Sequence, residues 1–214
     1  MTDSSGRAPG NSAGTDAPAS ARLPWRFDAA LLRADVDGLS ADDWVPHFNT
    51  AYYDGDWSGA ALRSVGGEAG RLYPDPAAVA PFADTPLLAR CPATQAVLEQ
   101  FRCPLLAVRY LRLGPGSSIR EHRDLNLGVD DGEVRIHVPV SSDPAVEFLL
   151  DGRPVEMAEG EAWYLNLNLP HAVTNRGPTA RVHLVVDCVV DESLGAVLSD
   201  ALASAQRPGE TESR

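Results

Sequence analysis

Two histidines, an aspartate and an arginine carry the chemistry legible in this chain. His122 and Asp124 form an H-x-D pair inside SSIREHRDLNLG, His171 follows far downstream in LPHAVTNRG, and Arg181 opens RVHLVVD. Two imidazoles and one carboxylate on one face of an octahedral ion leave the other positions open, which is the arrangement of non-haem Fe(II) oxygenases. Alternate residues of an extended segment point the same way, so His122 and Asp124 reach one ion while Arg123 points elsewhere. An H-x-D pair alone arises by chance in many chains. The distal His171 adds weight, because an antiparallel barrel returns distant ligands to the same place. The planar fork of Arg181 suits bidentate capture of a carboxylate deep in such a barrel. Together the four point to an oxygenase with a keto-diacid co-substrate.

Elements able to hold these residues follow from alternation and turn chemistry. Strands are predicted over 105–113, 119–124, 133–140, 146–150, 155–157, 161–167 and 181–190. They are punctuated by Gly114-Pro115-Gly116, Asp130-Asp131-Gly132, Asp151-Gly152 and Asn175-Arg176-Gly177-Pro178. Short strands with closely spaced turns predict a sandwich or barrel. Over 105–113, Val108, Tyr110 and Arg112 share one face and Ala107, Arg109 and Leu111 the other; alternation leaves open which arginine meets the cavity. Over 133–140, Arg135, His137 and Pro139 oppose Ile136, Val138 and Val140, as a strand lining a polar cavity should; the alternative is an edge strand with both polar groups outward. Trp163 and Leu165 lie opposite Tyr164 and Asn166. His183 shares the Arg181 face, either lining the cavity or packed in support. Short helices are predicted from Phe27, over 94–101 and over 194–205, with Ser40 and Asp43 as a helix start. His47 has no partner at ligand spacing and reads as packed or exposed. Residues 68–92, rich in Pro, Ala and Asp, read as a long loop over the barrel.

Composition narrows the classes. The chain has 214 residues and a net charge of −12, a surface that repels phosphate backbones and argues against nucleic acid. All 18 basic residues are arginine, which excludes a Walker-A lysine and a pyridoxal-phosphate Schiff base. Cys91, Cys103 and Cys188 are odd in number and lack C-x-x-C spacing, so buried thiols in a reducing compartment are expected. No run approaches the roughly 18–20 apolar residues of a membrane span, and the start lacks signal-peptide features; a cytoplasmic location is the expectation. Residues 1–22 and 207–214 lack large apolar side chains and are expected to be disordered tails around one domain, 23–206.

The blocks EHRDLNLG, RIHVPV, GEAWYLN, LPHAVTNRG and RVHLVVD resemble the aspartyl/asparaginyl β-hydroxylase family of Fe(II)/2-oxoglutarate dioxygenases, over about residues 40–190 and most specifically 117–187. The resemblance implies a mainly β double-stranded β-helix, a cupin-like jelly roll with a few flanking helices, and it implies Fe(II), 2-oxoglutarate and O2. His122, Asp124 and His171 match the iron ligands, and Arg181 the residue pairing with the distal carboxylate of 2-oxoglutarate. Arg135 and His137 match a pair near the co-substrate's inner carboxylate or the substrate. The segment around Trp57 and Arg63 corresponds to the barrel mouth, which makes Trp57 a candidate substrate wall, with plain packing as the alternative. Arg109, Arg123, Trp163 and His183 complete the candidate substrate set. Animal members carry glycine where this chain has Asp124, so the resemblance points to the three-ligand bacterial branch that includes free-proline 3-hydroxylases.

The reaction implied is hydroxylation of a C–H bond, at a β-carbon by preference, in a free amino acid or in an Asp, Asn or Pro residue of a peptide, with release of succinate and CO2. Two alternatives stand beside it. A cupin-type metalloenzyme could use the same ligands with Zn(II) or Mn(II) for hydrolysis or isomerisation, and a non-catalytic barrel could simply bind a small molecule. The residues leave the substrate and the oligomeric state open.

Overall fold

The computed structural model describes residues 17–72 and 80–206; most of the expected tails, and residues 73–79 of the expected loop, lie outside the described residues. In chain order the strands are β1 Ser20–Arg26, β2 Val45–Pro46, β3 Tyr53–Asp54, β4 Trp57–Val65, β5 Phe82–Asp84, β6 Leu105–Leu113, β7 Ser118–His122, β8 Glu133–Ser141, β9 Val146–Leu150, β10 Arg153–Pro154, β11 Glu161–Leu165, β12 His171–Asn175 and β13 Arg181–Val189. Three α-helices flank them: α1 Ala29–Asp37, α2 Pro92–Leu98 and α3 Glu192–Ala205.

All strand pairs are antiparallel. The larger sheet runs β1-β11-β8-β13-β6-β4-β2, with β5 added on β4, and the smaller runs β10-β9-β12-β7-β3. This is the mainly β jelly roll that the resemblance implies, within the sandwich-or-barrel class expected from the turn spacing. Alternation along the central strands divides the protein into layers. Tyr110, Ile136, Val138, Val140, Leu184 and Val186 point to the helices and form one core. Trp57, Leu113, Phe148, Leu150, Leu165 and Val173 point between the sheets and form the other. Each fully buried aliphatic side chain contributes roughly 1.5–3 kcal/mol, so the polar residues sharing the inner face with that second core are held there against a strong preference for apolar neighbours.

The caps follow from residue type. Asp28 accepts from the N–H groups of Ala30 and Leu31 at 2.9 and 3.2 Å, Asp191 accepts from Leu194 N at 2.9 Å, and Pro92 opens α2 where its missing N–H costs nothing. The Ser40 start leads only to a 3-10 turn, Ala41–Asp43, fastened by Ser40 N donating to Asp43 Oδ2 at 2.7 Å.

Three expectations change. Among the described residues the first strand begins at Ser20, inside the segment read as a tail to 22: Ala21 and Leu23 are buried while Arg22 is exposed, and the strand pairs with β11. No separate strand forms over 155–157: the strand ends at Arg153–Pro154, with one further backbone bond from Val155 N to Phe148 O of β9 at 2.9 Å. Residues 82–84 of the expected loop form β5, whose Asp84 lies opposite Arg63 and accepts from it at 2.6 Å. Among the described residues no helix is long and apolar enough to cross a membrane.

Candidate metal centre and its cavity

Strand register brings the two histidines together. His171 on β12 is the direct cross-strand partner of His122 on β7, and their ring centroids lie 4.2 Å apart. Asp124, just past the end of β7, is anchored by its own N–H to Leu167 O at 2.9 Å. One ligand atom from each of His122, Asp124 and His171 lies within 4.8 Å of the other two. Both imidazoles are prepared as ligands. Nδ1 of His122 is 2.8 Å from Arg120 O, and Nδ1 of His171 is 3.1 Å from Leu169 O. A carbonyl only accepts, so each Nδ1 carries the proton and donates it, which leaves both Nε2 lone pairs for a metal. Burial first, and then the neighbouring His122, holds the pKa of His171 down to about 4, so the ring is neutral at physiological pH. The donor set therefore fits a divalent transition metal of the kind held by two histidines and a carboxylate.

Asp124 is held in turn from the larger sheet. Arg135 on β8 donates from Nη1 to Asp124 Oδ2, while Asp124 Oδ1 faces His122 Nε2 at 3.8 Å. Arg135 is itself gripped by its direct cross-strand partner Asp187 on β13: Nε donates to Oδ1 at 2.6 Å and Nη2 to Oδ2 at 3.1 Å. Arg109 on β6 adds a third bond to Asp187, from Nη1 to Oδ2 at 3.0 Å. Burial alone would raise the pKa of Asp187, but the Arg109 and Arg135 guanidiniums hold it well below the usual carboxylate range. The result is an alternating chain of buried charge, Asp124, Arg135, Asp187, Arg109, ending on one oxygen of the ligand carboxylate.

Arg181 differs from these. It is 3% exposed and has no carboxylate within ion-pair distance among the described residues; its Nη2 donates to His183 Nδ1 at 3.1 Å, and its Nε has no partner. Burial pulls its pKa down to about 9, which leaves it charged at neutral pH. Burial and the Arg181 charge push His183 and His137 well below the ordinary histidine value, so both are neutral. Because Arg181 can only donate, His183 Nδ1 accepts. His137 Nδ1, 3.4 Å away, then carries the hydrogen, and its buried, unpartnered Nε2 is an acceptor. Leaving a buried cation and an acceptor unsatisfied costs free energy, so this end of the cavity is built for a group that supplies an anion.

The cavity, about 560 Å³, is lined by the three ligand residues, by Arg135, His137 and Arg181, by the buried His47 and Trp57, and by the exposed Arg123. Of the residues singled out in the sequence, Trp57 lies in this wall, stacked on His47 at 3.6 Å and 7°, and Arg123 lies at the mouth. Arg109 does not reach the cavity: it is 1% exposed beneath Asp187, because the inner face of β6 meets the carboxylate rather than open space. Trp163 and His183 line a separate cavity, reached from the far side of Phe148 and Arg181, and the Trp163 indole donates to Glu161 at 3.0 Å. Arg135 lines the cavity with its fork committed to two carboxylates. Asp187 had not been singled out, and His47 had been read only as packed or exposed. The signal for Asp187 was present: it shares the two-residue period of Arg181 and His183 in RVHLVVD. The lone His47 carried none.

A family model for aspartyl/asparaginyl β-hydroxylases matches residues 27–190. The L-proline cis-4-hydroxylase of Rhizobium meliloti (strain 1021) is 30% identical over 172 residues, 76% of this chain; the chain spans 58% of that relative's length. Two solved structures share the fold at low identity. A prolyl-4-hydroxylase from Pseudomonas putida superposes with a TM-score of 0.51 at 16% identity, covering 81% of this chain and 93% of that one. An oxidoreductase of the 2OG-Fe(II) oxygenase family from Burkholderia pseudomallei gives 0.52 at 15%, covering 79% and 85%.

Proposed function

This chain belongs to the aspartyl/asparaginyl β-hydroxylase family, and from that premise we propose that it is an Fe(II)- and 2-oxoglutarate-dependent oxygenase that hydroxylates an aliphatic C–H bond of an amino acid or of a residue in a peptide. The observation that carries the reading is Arg181, a buried guanidinium without an acid, in the same cavity as the His122, Asp124 and His171 cluster.

In this reading Fe(II) is held by Nε2 of both histidines and by Asp124, and with 2-oxoglutarate and O2 it supplies the oxidising chemistry that ends in hydroxylation with release of succinate and CO2. Arg181 takes the far carboxylate of the co-substrate in the dry interior, where a charge-assisted bidentate pair is strong. The acceptor nitrogen of His137 lies on the same cavity wall, ready for a proton donor on either ligand. Arg135 keeps Asp124 turned toward the histidines, Phe148 and Trp57 exclude water, and no side-chain nucleophile is required. We further propose that the jelly roll is a single domain, starting at Ser20 rather than residue 23. A metallohydrolase using the same three ligands would have no use for a buried guanidinium with no carboxylate within ion-pair distance among the described residues, which favours the oxygenase.

The test is anaerobic titration of the Fe(II) protein with 2-oxoglutarate, followed by air and assay of succinate. The expected results are a visible metal-to-ligand charge-transfer band and succinate in step with 2-oxoglutarate loss. His122→Ala should abolish both. Arg181→Gln should keep metal affinity while raising the 2-oxoglutarate requirement about 30- to 1000-fold, the loss of one desolvated charge pair at roughly 2 kcal/mol or more. Unchanged 2-oxoglutarate affinity in Arg181→Gln would overturn the assignment.

A further inference from the structure

The mouth of the cavity has a composition that bears on what enters it. Four large apolar side chains stand exposed among the described residues: Leu31, Phe48, Tyr52 and Leu125. Three of them, Phe48 at 74%, Tyr52 at 42% and Leu125 at 70%, line this one cavity, although they come from two separate segments, the one after β2 and the one after β7. Apolar surface gathered at a cavity mouth marks a site that is covered in use. Behind the rim the wall is aromatic back to the metal ligands. Phe48 stacks on His47 at 4.9 Å and 22°, His47 on Trp57 at 3.6 Å and 7°, and the Trp57 ring lies 6.4 Å from His122. Tyr52 stacks on His122 itself at 5.3 Å and 26°.

The charges around that wall are unequal. The cavity is lined by three arginines, Arg123, Arg135 and Arg181. Arg135 is engaged by Asp124 and Asp187, and Arg181 takes the co-substrate in the reading above. Arg123 donates one N–H to Asn168 O at 2.6 Å and meets no carboxylate within ion-pair distance among the described residues. The backbone next to it is anchored by Asp124 N donating to Leu167 O, and its acceptor residue Asn168 is held by its own side chain donating to Asp131 at 2.6 Å. Besides Arg181, the other charge on the cavity without an ion-pair partner among the described residues is Glu133, an acid, which disfavours a second substrate carboxylate.

We propose that the substrate is a free amino acid with one carboxylate, held by Arg123, and an apolar side chain of leucine or phenylalanine length lying along the Trp57, His47 and Phe48 wall under Leu125. This rests on the oxygenase reading and sharpens it: the stacked Phe48, His47 and Trp57 rings, with centroids 4.9 and 3.6 Å apart, offer apolar surface beyond what a proline ring covers, and the acid Glu133 disfavours aspartate.

The experiment uses the full chain loaded with Mn(II) and 2-oxoglutarate without oxygen, titrated with L-leucine, L-phenylalanine, L-proline, L-alanine, L-aspartate and L-leucinamide. Each methylene laid on the wall adds about fourfold in affinity, so leucine and phenylalanine should bind at least 10-fold more tightly than alanine or aspartate, and leucine about fourfold more tightly than proline. Leucinamide should lose at least 10-fold against leucine, and Arg123→Gln should erase that preference while 2-oxoglutarate affinity stays as in the parent. Leu125→Ala should weaken leucine and phenylalanine but leave alanine unchanged. Aspartate or proline binding as tightly as leucine overturns the proposal, and leucinamide matching leucine overturns it in favour of a residue inside a peptide. A protein that binds Mn(II) but no 2-oxoglutarate brings down the oxygenase reading and this inference with it, whereas normal 2-oxoglutarate binding with a flat panel defeats this inference alone.

Discussion

Replacing Asp187 by asparagine probes the support of the metal centre without touching a ligand. Asp187 is 5% exposed and accepts three N–H bonds, two from Arg135 and one from Arg109. The amide keeps the shape, removes the charge, and leaves Asp124 as the one acid in the alternating chain facing two buried guanidiniums. Breaking a buried pair by removing one partner costs about 3–5 kcal/mol, because the remaining charge stays desolvated. At roughly 2–4 °C per kcal/mol for a domain of this size, the midpoint of thermal unfolding should fall by roughly 6–20 °C. The local effect is separate: with Arg135 no longer gripped from behind, its hold on Asp124 Oδ2 loosens, and outer-shell losses of this type lower metal affinity about 10- to 100-fold. The assays are urea unfolding of the apo-protein and anaerobic Mn(II) titration. Asp54→Asn sets the internal scale, since its pair with Arg120 is more than half exposed on both sides and should be worth no more than about 1 kcal/mol. If Asp187→Asn unfolds within 1 kcal/mol of the parent and binds Mn(II) equally well, the alternating chain of charge does not hold the ligand and the reasoning fails.

Two further outcomes are expected. Acidification should destabilise the apo-protein between pH 6.5 and 4: burial holds His47 and His171 down to about 4 and keeps His137 and His183 well below 6.5, so the unfolded chain binds protons that the folded one refuses and stability present above 6.5 is lost as pH falls. Urea midpoints in chelator at pH 7.5 and 5.0 measure this, and equal midpoints would contradict it. Gly160→Ala should cost about 2–4 kcal/mol with Mn(II) affinity intact, because Gly160 has a φ of +80° and an added Cβ would sit 2.2 Å from Phe27 O; a loss under 0.5 kcal/mol would show that the β1–α1 junction yields.

What was legible in the sequence was local. The two-residue alternation of R-I-H-V-P-V assigns faces because aliphatics alternate with Arg135 and His137, and H-x-D spacing needs nothing beyond an extended backbone. The partition of the arginines was not legible. Whether Arg109 or Arg112 turns inward depends on which side of the larger sheet the helices cover, and α2, whose Thr94 meets Tyr110, decides it from outside the strand. Trp163 and His183 sit on inward positions like the residues around the metal, yet face the other end of the barrel, a distinction set by depth along the strand rather than by face. Strand β1 was hidden differently: A-R-L-P-W-R alternates correctly, but Pro24 demotes it, and only an edge position beside β11 makes that proline tolerable.

The unpaired guanidinium of Arg181 gives the barrel interior an appetite of its own. Any small anion able to reach it gains what the protein withholds, so acetate, citrate or succinate in a storage buffer becomes a competitor rather than a bystander. On the oxygenase reading, kinetic constants for 2-oxoglutarate should then drift with the choice of salt, and succinate left over from one round should slow the start of the next.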